Sequence, residues 1–315
     1  MDTSVAPKDL IGHNGLWSFL MQAKKKGNLG HTLIFFGAKG VGKETFARFF
    51  ISSFLCKDRP EVCGTCVHCR MVKEKKHPQV RELVKEVGSL SVAEVRALEK
   101  NFHLRRDSVE EPQFLLLKDL KNLSHSAVNA LLKILEEPPE FLYCIGITRE
   151  IKNVLPTLRS RAQQLYFSLV EDNIIEHFLK SFLDPETIKE GIIFANGRPG
   201  IAKRIVENPE FYKEHTRKYK QIFKEIEEAH TTGKLREKKI TEEELIQTLP
   251  FIEHIGYRLY RAKLMKEDFS EEAKLAQQLS LKDLHIFLLR ILKSYSLLEK
   301  NISPTMILDQ LYSNI

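Results

Sequence analysis

The stretch HTLIFFGAKGVGKE, residues 31 to 44, decides the fold. Thr32 to Phe36 is an apolar run of the length expected for a strand buried on both faces. Gly37 to Lys43 then has the spacing G-x-x-x-x-G-K of a phosphate-binding loop, and it opens an amphipathic segment carrying Phe46, Phe49, Phe50 and Phe54. Gly37, Gly40 and Gly42 let the backbone approach phosphate oxygens closely, so that successive N–H groups and a helix N-terminus face them. Lys43 is the side chain placed to reach the terminal phosphates. A chance glycine-rich turn with a solvated lysine is the plainer alternative, and the strand-loop-helix context argues against it.

Hydrolysis at such a loop also needs magnesium, held by a hydroxyl directly after the lysine and by a carboxylate ending a nearby strand. Here Glu44 follows the lysine, an anion beside anions, and Thr45 is turned away by one helical step of about 100°. The later apolar run Phe114 to Leu117 leads into Lys118-Asp119 instead of an acidic pair. Lys118 can replace part of an ion's charge, but it cannot position a metal or activate water. The sequence therefore describes a nucleotide scaffold without its metal chemistry and leaves open whether nucleotide still binds.

Strand-like runs recur at 32–36, 114–117, 143–147 and 164–167, with helical segments between them, which predicts an α/β fold with a parallel sheet flanked by helices. Ser124 caps a predicted helix through Val128, Leu131, Leu132 and Leu135 that Pro138-Pro139 stops. After residue 167 the pattern is helical: 173–180 and 186–207, interrupted at NGRPG (196–200), then a charged helix over 212–228 and a turn at Thr231-Thr-Gly233. Thr241 with Glu244, and Ser280 with Asp283, are capping-box pairs opening two further helices. In the second, Leu281, Leu284, Leu288, Ile291, Leu292, Tyr295 and Leu298 keep helical spacing, as in an ordinary bundle core or a subunit interface.

Four of the five cysteines, Cys56, Cys63, Cys66 and Cys69, fall as C-x6-C-x2-C-x2-C within fourteen residues. Thiolates at this spacing can surround one tetrahedral zinc ion at about 2.3 Å, and a site filled by four protein ligands is structural, with no open position for catalysis. A disulfide pair or a redox C-x-x-C is disfavoured by the absence of a secretory start and by the third and fourth cysteines. His68 is an alternative ligand. Cys144, alone in an apolar run, reads as a small buried hydrophobe.

The 315 residues are enough for two or three domains, and 43% apolar content supplies ordinary cores. No segment reaches the roughly 18 to 20 uncharged apolar residues of a membrane span, and the start of the chain is unlike a signal, so a soluble cytoplasmic protein without a membrane partner is expected. The net charge of +7 is compatible with polyanion contact without demanding it.

In order, these motifs resemble the bacterial clamp-loader AAA+ family of DNA polymerase III. The resemblance runs from Ile11-Gly12 through GAKGVGK, the four cysteines and His77-Pro78. It is densest over AVNALLKILEEPP (127–139) and LPTLRSRAQQLYF (155–167), and it returns in 301–311. It implies an AAA+ nucleotide-binding-like domain over 1–167 with a zinc module at 56–69, a helical lid over 168–208, and an all-α collar domain over 209–315. The implied partners are gamma/tau and delta subunits in a hetero-pentameric ring, the sliding clamp, and primed DNA contacted through its backbone.

Departures from the family pattern favour its delta-prime branch over the gamma and tau motors. The hydroxyl after the lysine and the acidic pair are missing, and Gly200 stands near the place of a phosphate-sensing lid arginine. The motif Ser160-Arg161 survives, although Ala162 replaces the usual cysteine. By resemblance Arg161 is an arginine finger reaching a neighbour's ATP in trans, with Arg159 its rival, and Thr148 is a vestigial sensor. Asn129, Lys133, Glu136 and Glu137 carry kinship without an assigned role. The resulting expectation is a subunit of the polymerase holoenzyme that does not hydrolyse ATP by itself. The alternatives are an ATP-hydrolysing gamma/tau-like motor using Glu44 or Asp119 on the metal, and a zinc-containing DNA-binding module outside replication.

Overall fold

The computed structural model describes residues 6–7, 9–58, 62–83, 111–118, 141–232, 239–266, 271–298, 300 and 302–313. The predicted helix over 124–137 and Asp119 lie outside these residues. The chain forms two compact units, Met1–Lys203 and Arg204–Ile315.

In the first unit the described α-helices and strands are α1 (Asn14–Lys25), β1 (Thr32–Gly37), α2 (Lys43–Leu55), α3 (Val67–Lys73), β2 (Val80–Leu83), β3 (Gln113–Lys118), β4 (Leu142–Thr148), α4 (Pro156–Arg159), β5 (Gln163–Phe167), α5 (Asp172–Leu179), α6 (Pro185–Ala195) and the start of α7 (Pro199–Glu207). The strands make one sheet in the order β2-β3-β4-β1-β5, and every pairing is parallel. Parallel strands need helical crossovers, and a central β1 places the loop that follows it at the carboxyl edge of the sheet. The architecture is an α/β fold with a five-stranded parallel sheet and a phosphate loop after β1, followed by a helical C-terminal region. All four expected strands form. The short β2 was not anticipated, since its sequence VREL is half polar and only Val80 is buried.

The core lies where α1 and α2 cover the sheet. Trp17 and Leu20 of α1 and Phe46, Phe50 and Ile51 of α2 are buried with Leu33 and Phe35 of β1, Phe114 of β3 and Phe167 of β5. Phe46 meets Phe35 and Phe167 edge-on, with ring centroids 5.6 and 5.0 Å away. Edge-to-face packing fixes the angle at which α2 leaves the loop, and each such pair adds about 0.5–1.5 kcal/mol beyond area burial. The phenylalanines that mark α2 as amphipathic therefore also orient the phosphate loop.

The second unit contains α8 (Pro209–Thr232), α9 (Glu242–Met265), α10 (Glu271–Gln278), α11 (Leu281–Leu298) and α12 (Pro304–Tyr312). Both capping boxes form: the Glu244 amide donates to Thr241 Oγ1 at 3.2 Å and the Thr241 amide to Glu244 Oε2 at 2.9 Å. The Asp283 amide donates likewise to Ser280 Oγ at 3.1 Å, with the Ser280 amide returning to Asp283 Oδ2. Gly256 lets α9 approach α11, because a Cβ there would meet Ile291 and Leu288 at 3.1 Å. Of the turn expected at Thr231-Thr-Gly233, Thr231 and Thr232 end α8 and Gly233 lies outside the described residues. The threonine hydroxyls donate back one turn to the Glu227 and Glu228 carbonyls at 2.8 and 2.7 Å, the local side-chain bonds that serine and threonine make within a helix. The apolar spacing of α11 is divided between two faces. Leu284, Phe287 and Ile291 are buried, whereas Leu281, Leu289 and Leu292 are exposed. At 100° per residue these three exposed leucines fall within an arc of about 80°.

Candidate functional site

The loop residues Gly37, Gly40 and Gly42 all have positive φ, at 145°, 88° and 99°. At Gly37 a side chain is impossible as well as strained, since a Cβ would lie 2.2 Å from the Phe167 carbonyl oxygen. Gly42 is the N-cap of α2, so the loop delivers its N–H groups to a helix N-terminus as the motif requires. The Gly37 amide itself donates to the Arg149 carbonyl at 3.0 Å. His13 braces the far side of the loop, with Nε2 2.7 Å from the Val41 carbonyl oxygen.

Lys43 is buried and turned back on the loop. Its Nζ donates to the Gly37 and Ala38 carbonyls at 2.6 and 2.7 Å. Burial, with a smaller contribution from Arg149, brings its amine down from 10.5 to about 8. A lysine depressed in the folded state binds its proton less tightly than the unfolded chain does. Its charge therefore costs stability below about pH 8, and that cost is relieved as the pH rises from 8 toward 10.5. Acylation of Lys43, followed by peptide mass analysis across pH, is expected to report an apparent value near 8. Inorganic phosphate at the loop should raise it, and an unshifted value near 10.5 would mean that the amine faces solvent.

The two departures noted in the sequence are bonded to each other. Lys118 Nζ at the end of β3 donates to Glu44 Oε1 at 2.5 Å, and it lies 3.2 Å from Glu82 Oε2 at the end of β2. Arg48, one turn after Glu44 on α2, pairs with Glu44 Oε1 at 2.9 Å and with Glu82 Oε1 at 2.6 Å. Arg48 Nη1 also donates to the Val72 carbonyl of α3 at 2.9 Å. Burial pushes both carboxyls up, but the bonds and charges of Lys118 and Arg48 outweigh it and hold Glu44 and Glu82 below the usual range. Lys118 is therefore engaged by carboxylates, where the sequence had suggested an ammonium directed at phosphate.

Arg48 and Glu82 were not among the residues expected here. The Glu44–Arg48 spacing of i,i+4 is a legible helix-pair signal, whereas Glu82 sits in the strand that sequence patterning did not find. The start of α7 supplies another unanticipated neighbour. The Gly200 amide donates to the Gly40 carbonyl at 2.8 Å. A Cβ at Gly200 would lie 3.0 Å from that oxygen, and one at Gly40 would lie 3.5 Å from Arg198 Cβ. Gly200 thus permits backbone contact at the place where the family's arginine was expected, and Arg198 covers the loop two residues earlier.

Thr148 is buried at the end of β4, beside Phe36 of β1. Its hydroxyl donates to the Glu150 carbonyl at 3.3 Å. Ser160 and Arg161 lie away from these groups in sequence and are exposed between α4 and β5. Arg161 Nη1 donates to the Thr157 carbonyl at 3.0 Å, and Ser160 Oγ donates to the same carbonyl at 3.1 Å.

The four cysteines converge, with all sulfurs within 4.8 Å of one another. Cys63 and Cys69 Sγ are 3.9 Å apart, and Cys56 and Cys66 Sγ are 4.0 Å apart. Four sulfurs at about 2.3 Å from a tetrahedral ion would be about 3.8 Å apart, so the donor set fits a thiophilic metal. The Cys66 amide donates to Cys63 Sγ at 3.3 Å and the Cys69 amide to Cys66 Sγ at 3.4 Å. Backbone amides of Cys66 and Thr65 draw the Cys63 thiol down to about 6, while burial pushes Cys69 up. His68 is engaged elsewhere: its Nδ1 is 2.9 Å from His77 Nε2. His77 Nδ1 accepts the Gln79 amide at 3.2 Å, so the His77 proton resides on Nε2 and is donated to His68. This chain of bonds ties α3 to the edge strand β2. Cys144 is buried as expected, and its thiol is pushed up to about 12.

No helix among the described residues is long and apolar enough to cross a membrane. Residues 12–171 match the family described as DNA polymerase III, delta subunit. The chain is 29% identical over 163 residues to DNA polymerase III subunit delta' of Bacillus subtilis, covering 50% of this chain and 49% of that protein. It is 28% identical over 182 residues to subunit tau/gamma of Haemophilus influenzae, covering 57% and 26% respectively. Each match therefore spans half or less of the relative's length. A solved gamma subunit-related protein from Thermotoga maritima superposes with a TM-score of 0.45 at 16% identity, covering 93% of this chain and 97% of that one. With the match covering half of its length, the chain belongs to the DNA polymerase III delta-subunit family of clamp-loader proteins.

Proposed function

We propose that this chain is a delta-prime-like subunit of the DNA polymerase III clamp loader that does not hydrolyse ATP. It would close a hetero-pentameric ring with gamma/tau and delta subunits in the cytoplasm, help place the sliding clamp on primed DNA, and lend Arg161 to a neighbouring ATPase. The supporting observation is the Lys118–Glu44 ion pair at the position where hydrolysing phosphate-loop proteins hold magnesium. Phosphoryl transfer relies on that ion to bridge phosphates and neutralise developing charge, and an ammonium fixed to two carboxylates does neither. The same pairing weighs against a motor that uses Glu44 as a metal ligand.

In this reading residues 1–167 are the AAA+ domain, 168–208 the lid and 209–315 the collar. The exposed leucine strip on α11 supports a role for the collar in subunit contact. The four thiolates hold a structural zinc ion, and Thr148, its hydroxyl bonded locally, is a sensor position without a sensing task. The purified chain is expected to show no magnesium-dependent ATP turnover above that of Lys43→Ala. A robust rate abolished by Lys43→Ala would establish the motor instead.

A further inference from the structure

The carboxylates for a cation site are present, one at the position where the phosphate-loop motif places its magnesium-binding hydroxyl and one on a strand the motif does not include. Glu44 comes from the first turn of α2 and Glu82 from the end of β2. They converge on one Lys118 amine, at 2.5 and 3.2 Å. Glu82, Arg48 and Lys118 are largely buried, with side chains 12%, 12% and 15% exposed, and Glu44, 42% exposed, forms the open side of the cluster. Two acids face two bases and the set is balanced. Lys75 Nζ, 3.9 Å from Glu44 Oε1, is an outlying fifth charge.

We propose that this cluster is a divalent-cation site plugged by the chain's own Lys118 ammonium. A hard ion such as magnesium or manganese needs only one or two carboxylates and completes its shell with water, which Glu44 and Glu82 can satisfy. The tethered amine supplies the cation with a single charge and no exchangeable coordination position. Adding a divalent ion to the intact set would leave uncompensated positive charge, whereas deleting the amine leaves Glu44 and Glu82 convergent on the space it held, with Arg48 as their nearest cation and Lys75 at 3.9 Å from Glu44. Glu82 is thus the second ligand of the latent site, and Lys118 is the residue that closes it. The inference concerns the same pocket as the proposed function but is read from metal binding, so either can fail without the other.

Manganese binding to the full-length, zinc-loaded chain tests it, by calorimetry and by the loss of the free-ion electron paramagnetic signal. Manganese prefers oxygen to thiolate, so the cysteine cluster does not compete. The unaltered chain is expected to take up none. Lys118→Ala, and Lys118→Met if the smaller side chain unfolds the protein by circular dichroism, should bind one equivalent at least tenfold more tightly than the unaltered chain. Adding Glu82→Gln should abolish the gain. Manganese uptake by the unaltered chain that is lost in Glu82→Gln would overturn the plug, as would folded Lys118 variants that bind none.

Discussion

Replacing Arg161 with alanine is expected to slow ATP cleavage at the adjoining site of an assembled clamp loader by about 10³-fold, while ring assembly is unchanged. The side chain is exposed between α4 and β5, and its guanidinium donates to the Thr157 carbonyl at 3.0 Å. Exchanging that single bond to a neutral carbonyl for a transferring phosphoryl group gives up about 1.5–3 kcal/mol and gains a bidentate contact between opposite charges. Arg161→Lys should restore little, because an ammonium keeps the charge without the planar fork. Single-turnover hydrolysis separates the affected site from the remaining ones. Arg159→Ala is the matched comparison, since its residue is partly covered within α4. An unaltered rate in Arg161→Ala with a large loss in Arg159→Ala would transfer the role to Arg159.

Serine at both Cys63 and Cys66 is expected to cost the chain its one equivalent of zinc and the ordered structure of α3. Structural zinc contributes about 10 kcal/mol or more in small thiolate sites, so the segment has no comparable source of stability without it. Elemental analysis of protein purified without added zinc should find one ion per chain, and amide hydrogen exchange should show lost protection over Val67–Lys73 in the double variant. Acid should release the ion, because every ligand must be deprotonated to bind. Metal-free protein with α3 still protected would remove zinc from the account. Arg48, which donates to the Val72 carbonyl, gives a second readout. With α3 disordered it loses that acceptor, although Glu44 and Glu82 still hold it.

The elements most legible in the sequence are those whose environment is uniform. β1, β3 and β4 are buried almost throughout, so their apolar runs stand out without any alternation to decipher. The cysteine cluster was equally plain, since metal coordination fixes residue type and spacing together. β2 was missed because four residues with two charges carry no strand signal. Its partner β3 and the bond from the Phe114 amide to the Gln79 carbonyl position it. Glu82 disappeared with it, and with Glu82 the reason Lys118 is tolerated near phosphate-loop residues. On α11 periodicity gave a single stripe where the structure has two faces, because spacing alone cannot say which side of a leucine-rich helix meets a partner. The phosphate loop was read correctly as a shape, while the destination of its lysine, its own carbonyls, depended on contacts six and five residues back.

The hydrogen bond from the Gly200 amide to the Gly40 carbonyl carries a consequence for signalling. In a nucleotide-driven switch, the angle between the two helical layers reports what the pocket contains, since the ligand is the mortar between them. Here main-chain amide and carbonyl meet directly, and a Cβ at Gly200 would crowd the Gly40 carbonyl oxygen at 3.0 Å. Occupancy has little leverage over a seam that is already sewn, so in the proposed ring this chain would present a face of constant shape.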